Sequence, residues 1–318
     1  MKKIATIDRC RVSGSNNLIT VLNLGNQALT GIFPKSKDEK ITTGPLELVW
    51  CPDSSLLQLK HSYDLLEMYG DNYGYRSSLN VSMVEHLKQK IYHLEKLYNI
   101  TSGDLVIDIG SNDATLLKSY TTKGLKRIGI DPTGNKFKNF YTDGIELIPD
   151  FFSKDIFFKQ YGKNKAKIIT SIAMFYDLED PKKFILDILE VLDKNGVWHF
   201  EQSYMPTMLR MNSYDTICHE HLEYYSLLNI KTLLGECGFK IIDVVMNSIN
   251  GGSFAVTACK NENPIKSNDA VIEWLINNEI RMDLHTLKPF KQFEERVYEH
   301  RTNLRNLIID LNSNGKKL

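Results

Sequence analysis

The 318-residue chain reads as an α/β protein with a doubly wound parallel sheet that ends in an antiparallel edge hairpin. Three observations predict this. Five short apolar runs (Leu105–Ile109, Arg127–Asp131, Glu146–Pro149, Lys167–Ser171 and Val197–Gln202) alternate with segments long enough for helical crossovers. Strands spaced that way pair in parallel and need helices on both faces. Two more runs, Phe239–Met246 and Ser253–Cys259, are joined only by residues 247–252, too short for a crossover, so they pair as a hairpin. Hydrophobic residues make up 42% and charged residues 25%, ordinary globular usage that excludes a disordered or fibrous chain.

Taken in order, residues 1–80 form a small module of short strands and turns. Gly14, Gly25, Gly44, Pro34, Pro45 and Pro52 break up apolar runs such as Leu18–Leu24 and Leu46–Trp50. The pattern Ser82-Met83-Val84-Glu85 reads as a capping box opening a helix, on which Met83, Leu87, Ile91, Leu94 and Leu97 share one face. The sheet domain spans residues 81–262, with a helix over about 226–237 before the hairpin. Residues 263–318 read as helices, with a stripe of Phe290, Phe293, Val297, Leu304, Leu307 and Leu311 and a C-capping Gly315. Lys316-Lys317-Leu318 reads as the approach to a further strand.

Charge and cysteine content narrow the function classes. Lys+Arg and Asp+Glu both number 39 and the pI is about 7.1, so there is no basic footprint for nucleic acid or an anionic membrane. No apolar run approaches the roughly 18–20 residues that cross a bilayer, and the start lacks the apolar core of a signal peptide. Five scattered cysteines argue against a disulfide framework, so a cytoplasmic protein with reduced thiols is expected.

The most informative motif is Leu105-Val106-Ile107-Asp108-Ile109-Gly110-Ser111-Asn112-Asp113-Ala114. A buried strand runs into a tight turn at Gly110, and the C-terminal edge of such strands is where open α/β sheets bind cofactors. Neither phosphate-binding glycine pattern is present; Asp108, Asn112 and Asp113 crowd the turn instead. Carboxylates suit a cationic ligand and repel a pyrophosphate, which points to S-adenosylmethionine (SAM) with its sulfonium and ammonium. On the next strand, Asp131 can accept the hydrogen bonds of both ribose hydroxyls. Read singly, Asp131 is a turn residue before Pro132, and a nucleotide-binding domain with an atypical loop is the rival for the pair.

After the fifth strand comes His219-Glu220-His221, flanked by tyrosines. Histidine is the usual general base near neutral pH, and a neighbouring carboxylate can fix its tautomer. A solvated surface cluster is the plain alternative; a metal site is weaker, because the H-E-x-x-H helix spacing is absent. Cys10-Arg11-Val12-Ser13 and Cys51-Pro52-Asp53-Ser54 look like two zinc-ribbon knuckles with one cysteine missing from each. With Ser13 and Ser54 replacing ligand cysteines, structural zinc is not expected, and no other metal is.

These motifs in this order resemble the SAM-dependent sugar C-methyltransferases, which methylate a carbon of a nucleotide-activated keto-deoxysugar. The resemblance covers nearly all of the chain. It is carried by Cys10–Gly14, Leu24-Gly25, Gly44-Pro45-Leu46, Leu56–Leu59, Tyr73–Ser78, Asp108–Leu117, Phe175–Pro181, Glu201–Met205, Tyr214–Tyr225 and Asn250–Ser253. It implies a class I methyltransferase fold with a Rossmann-like sheet, preceded by a zinc-ribbon-like module. It also implies acid–base roles for Glu220 and His221 beside the sugar, and Tyr75 lining that site. His221, oriented by Glu220, is then expected to take a proton beside a ketone, with His219 or Tyr75 stabilising the enolate. The chain departs from the family at Ser13 and Ser54, and at Ala114, where the cofactor loop usually has glycine. It is also expected to stop where the family's C-terminal domain begins. Rival readings are sugar O-methylation and a SAM- or sugar-binding fragment that is inactive without a C-terminal domain. The partner expected is a nucleotide sugar, with neither nucleic acid nor membrane.

Overall fold

A computed structural model describes residues 4–30, 34–69 and 73–317; Leu318 lies outside them. The N-terminal module contains β1 (Ala5–Thr6), β2 (Ile19–Ala28), β3 (Thr43–Cys51), β4 (Leu56–Leu59) and β5 (His61–Ser62). The main domain contributes β6 (Leu105–Ile109), β7 (Lys126–Ile130), β8 (Ile145–Ile148), β9 (Ala166–Ile172) and β10 (Leu192–Ser203). After these come β11 (Glu223–Tyr224), β12 (Phe239–Asn247) and β13 (Ser253–Lys260).

Seven strands form one sheet in the order β12-β13-β10-β9-β6-β7-β8. Strands β6 to β10 pair in parallel, and β13 pairs antiparallel with both β10 and β12. All five residues of β6 are buried, as a central strand covered on both faces must be. The chain runs outward from β6 through β7 to β8, then returns to lay β9 on the other side of β6. That reversal opens a crevice at the C-terminal ends of β6 and β9, where ligands of open α/β sheets bind.

The module is less separate than its composition predicts. Its four-stranded sheet has the order β11-β4-β3-β2, so the edge strand comes from beyond the fifth strand of the main domain. Glu223 pairs with Gln58 and Tyr224 with Leu57. The long helix Lys288–Ser313 lays its first half over the same sheet, with Phe290, Phe293 and Val297 fully buried and the Phe290 ring 5.4 Å from that of Trp50, tilted by 33°. The predicted stripe ends there: Leu304 is 43% exposed and Leu307 53%, because the sheet is only long enough to cover the first turns.

Other boundaries move for local reasons. The first long helix begins at Val81 rather than after Ser82, because the Asn80 side chain accepts the N–H groups of Ser82 (3.0 Å) and Met83 (3.4 Å). Strand β10 starts at Leu192, directly where the helix Pro181–Val191 ends, and absorbs an irregularity before Val197. Ser226 caps the helix Leu227–Glu236 in a full capping box with Asn229. Ala114 stands at φ 60°, left-handed backbone rather than helix, so its methyl is held at a position that favours glycine.

Candidate active site

A cleft of about 760 Å³ opens at the C-terminal ends of β6, β7, β9 and β10, with Leu65, Tyr69, Tyr73 and Tyr75 of the N-terminal part of the chain also lining it. Gly110 sits at its floor with φ +74°, and a Cβ there would come within 3.2 Å of the Met174 side chain. The turn therefore needs glycine both for its backbone and for the room it leaves.

Of the five residues expected to hold a cofactor, four line this cleft: Asp108, Gly110, Asn112 and Asp131. Asp108 is buried and accepts a 2.6 Å hydrogen bond from the Thr170 hydroxyl. Burial pushes its carboxyl up to about 7; the Thr170 hydrogen bond works against that shift and the Asp131 charge adds to it. A ligand cation is the natural counter-charge for this site. Asp131 takes the Asn112 N–H on one oxygen (2.7 Å) and the Thr133 N–H and hydroxyl on the other (both 2.6 Å), which fixes its plane at the cleft edge. A buried carboxyl, an edge acceptor and a glycine floor together fit SAM, whose ammonium and ribose they would hold.

Asp113 is the exception. It is absent from the lining, because its oxygens are committed to Thr115 N–H and hydroxyl and to Ser78 N–H, the last at 3.1 Å. It starts the helix Thr115–Lys118 and ties down the cleft's roof. The Asn112 side chain does the same work, accepting from Ser77 N–H (3.0 Å) and donating to the Tyr75 carbonyl (3.2 Å).

The His-Glu-His segment divides. A turn closed by the His221 N–H on the Cys218 carbonyl (3.2 Å) sends its two histidines to different places. Glu220 and His221 line the cleft. His219 is fully buried in the module, edge-on to Tyr63 at 4.7 Å, with Nε2 3.4 Å from the Gly44 carbonyl. Its expected role beside the substrate is therefore withdrawn; it holds the segment to the module. Nor does Glu220 orient His221. The Nδ1 of His221 lies 3.0 Å from the Thr216 carbonyl, which can only accept, so Nδ1 carries a proton, and in the neutral tautomer Nε2 is the acceptor. The Tyr176 ring, 4.1 Å away, holds the imidazole in place. One oxygen of Glu220 is buried without a partner, and burial raises its carboxyl, with His221 opposing.

Sequence reasoning missed Asp177. It is half-buried at the cleft wall, accepts a 3.0 Å hydrogen bond from Tyr69 on Oδ2, and leaves a buried Oδ1 unpartnered. Burial drives its carboxyl well above the ordinary range, His221 opposes, and Glu220 adds to the rise. Its position just past β9, at the strand reversal, was the available signal. Also missed was Glu201, which lines the cleft floor with His86 Nε2 at 2.6 Å, Lys90 Nζ at 2.5 Å and Asn247 Nδ2 at 2.6 Å. Tyr75 lines the cleft mouth and is 47% exposed.

This sheet, with its cleft at the strand reversal and its acidic cofactor edge, defines a SAM-dependent methyltransferase. The sequence profile described as "Methyltransferase domain" matches residues 84–244, half of the chain, and the chain belongs to that family. Residues 10–69 match the profile "Putative zinc binding domain", and residues 248–318 match "C-methyltransferase C-terminal domain". The last match overturns the expectation that this C-terminal domain is missing. C-methyltransferase NovU of Streptomyces niveus is 27% identical over 318 residues, covering 98% of this chain and 75% of that relative. Among solved structures, magnesium protoporphyrin IX methyltransferase of Synechocystis PCC 6803 is 16% identical, covering 61% of this chain and 91% of its own, with a TM-score of 0.43. The N-methyltransferase NodS of Bradyrhizobium japonicum WM9 is 14% identical over 56% of this chain and 96% of its own, with a TM-score of 0.40. Neither structural likeness carries an argument. Among the described residues, no helix is long and apolar enough to cross a membrane.

Proposed function

We infer that this enzyme methylates carbon, and that its substrate is a nucleotide-activated keto-deoxysugar. The observation that carries the reading is the state of His221: Nδ1 is tied to a carbonyl, and Nε2 is left as a proton acceptor in a cleft whose floor suits SAM. The relative named a C-methyltransferase and the match over residues 248–318 support the same chemistry.

Carbon next to a ketone becomes nucleophilic only when it loses a proton. His221 Nε2 is the base in this reading, and the electron pair released moves onto the ketone oxygen. That oxygen needs donors. With His219 retired, Tyr75 remains, and Asp177 joins it: burial favours the protonated form of its carboxyl, which in that form can donate from its free oxygen. SAM, when bound, supplies the methyl group that the nucleophilic carbon takes up. The carboxyl groups of Asp108, Asp131, Asp177, Glu179, Glu201 and Glu220 line the cleft, so the uncharged sugar ring enters while the diphosphate stays at the mouth.

The test is mass spectrometry of products from methyl-labelled SAM and a panel of nucleotide-activated keto sugars. One sugar should gain a methyl on carbon. In deuterated water without SAM, that sugar should take up deuterium beside its ketone. Methyl transfer without exchange, and with the label on oxygen, would move the assignment to O-methylation. Substituting His221→Asn should cost about 10²-fold or more in turnover while SAM binding by calorimetry is retained.

A further inference from the structure

Two i, i+3 pairs, Cys10 with Ser13 and Cys51 with Ser54, face each other at the end of the N-terminal module. Cys10 Sγ lies 3.3 Å from Ser54 Oγ, and Ser13 Oγ lies 3.5 Å from Cys51 Sγ. Both thiols are buried. This is the corner arrangement of a zinc ribbon, in a segment whose profile is described as zinc binding.

The donor set does not fit zinc. A structural zinc takes four thiolates or imidazoles, and hydroxyls that keep their protons at neutral pH are not anionic ligands. Among the described residues, no group of three or more His, Cys, Asp or Glu side chains is arranged to hold a metal. The two hydroxyls have another use here. Each reaches across to the thiol of the opposite knuckle, so the two contacts cross and join the knuckles where the metal would have joined them.

We propose that this module folds as a metal-free clasp, in which the crossed Cys10–Ser54 and Ser13–Cys51 hydrogen bonds replace zinc and fix Arg11 against the wall of the cleft. Arg11 follows Cys10 directly and is almost fully buried. Its backbone N–H donates to Gln58 Oε1 (3.1 Å), one guanidinium nitrogen to the Leu59 carbonyl (2.7 Å) and the other to Ser62 Oγ (2.9 Å). Its Nε donates to Glu179 (3.3 Å), a lining residue of the cleft. On the other knuckle, the Ser54 carbonyl accepts from Asn229 Nδ2 of the helix Leu227–Glu236 (2.7 Å). The clasp thus connects both knuckles to the main domain.

Elemental analysis of the full chain, purified under reducing conditions from zinc-supplemented culture, tests this directly. The wild type should carry far less than one zinc per chain, and a chelator should leave its melting temperature unchanged. The double variant Ser13→Cys/Ser54→Cys should take up about one zinc per chain and melt lower once chelated. Stoichiometric zinc in the wild type, lost on Cys10→Ser, would overturn the proposal. So would a chelator-induced fall in wild-type melting temperature. A folded double variant that takes no zinc would show that these four positions are not ribbon corners, and would overturn it equally.

Discussion

Two buried carboxylate clusters border the same cleft, and they are built in opposite ways. At the floor, Glu201 is saturated: His86, Lys90 and Asn247 all donate to it. Burial alone would raise its carboxyl, but the hydrogen bonds and charges of His86 and Lys90 outweigh burial and hold it down to about 2. At the wall, Asp177 and Glu220 each keep an unpartnered buried oxygen, and both are raised. A saturated carboxylate is a bracket: here it joins the helix Val81–Leu97 to strands β10 and β12. An unsaturated one is held ready for something that arrives, because an orphan buried oxygen costs about 1–3 kcal/mol until it finds a partner. Around this cleft, burial alone does not separate the two kinds of carboxyl; whether their oxygens are satisfied does.

The contrast breaks hardest at Glu201. Replacing Glu201→Ala leaves Lys90 and His86 facing each other without a counter-charge, and stability should fall by about 3 kcal/mol or more in urea melts. If the loss is instead under about 1 kcal/mol, the floor cluster is not a bracket. At the wall the signs reverse. Asp177→Leu removes an orphan and should leave stability within about 1 kcal/mol of wild type, while turnover drops tenfold or more. Asp177→Asn, which still has a donor, should recover part of that turnover.

A smaller effect sharpens the comparison through pH. Glu201, normally near 4.5 when unfolded, is held down to about 2 in the fold. Between those values the unfolded chain binds the extra proton, so the stability Glu201 contributes is present above about 4.5 and lost as the pH falls towards 2. His199, pushed by burial and by Lys90 from 6.5 down to about 3, acts in the same direction over its own window. Asp108 acts the other way. Its folded value of about 7 against 3.8 makes its contribution fullest below 3.8 and lost as the pH rises through 7. Between about 4 and 6.5 the last two oppose each other, so the melting temperature should change little there and fall steeply below about 4. The variant Asp108→Asn, free of the opposing group, should show the decline beginning near 6.5.

What the sequence made legible follows from how local each signal is. The strand-turn run through Asp108 and Gly110 is written in consecutive residues, and both line the cleft. Asp131, at the end of the neighbouring strand, was readable for the same reason. His219 was misplaced because its direction depends on a single turn, and Asp113 because Thr115 and Ser78 claimed its oxygens first. Asp177 lay in a run recognised for its resemblance, yet its chemistry depends on Tyr69 and Glu220, which are distant in sequence. The exposed end of the helix Lys288–Ser313 was unreadable for another reason: an apolar stripe does not say how far its partner surface extends.

One consequence concerns β11. The strand that completes the module's sheet begins two residues after His221, so the residue proposed as the base is anchored to the small domain while Asp108 and Asp131 belong to the large one. Partial melting of the small domain would therefore displace His221, the proposed base, and leave the Asp108–Asp131 edge intact. An aged or heat-stressed preparation could keep its full titration with SAM and still have stopped working, and a ligand-binding assay alone would pass it as sound.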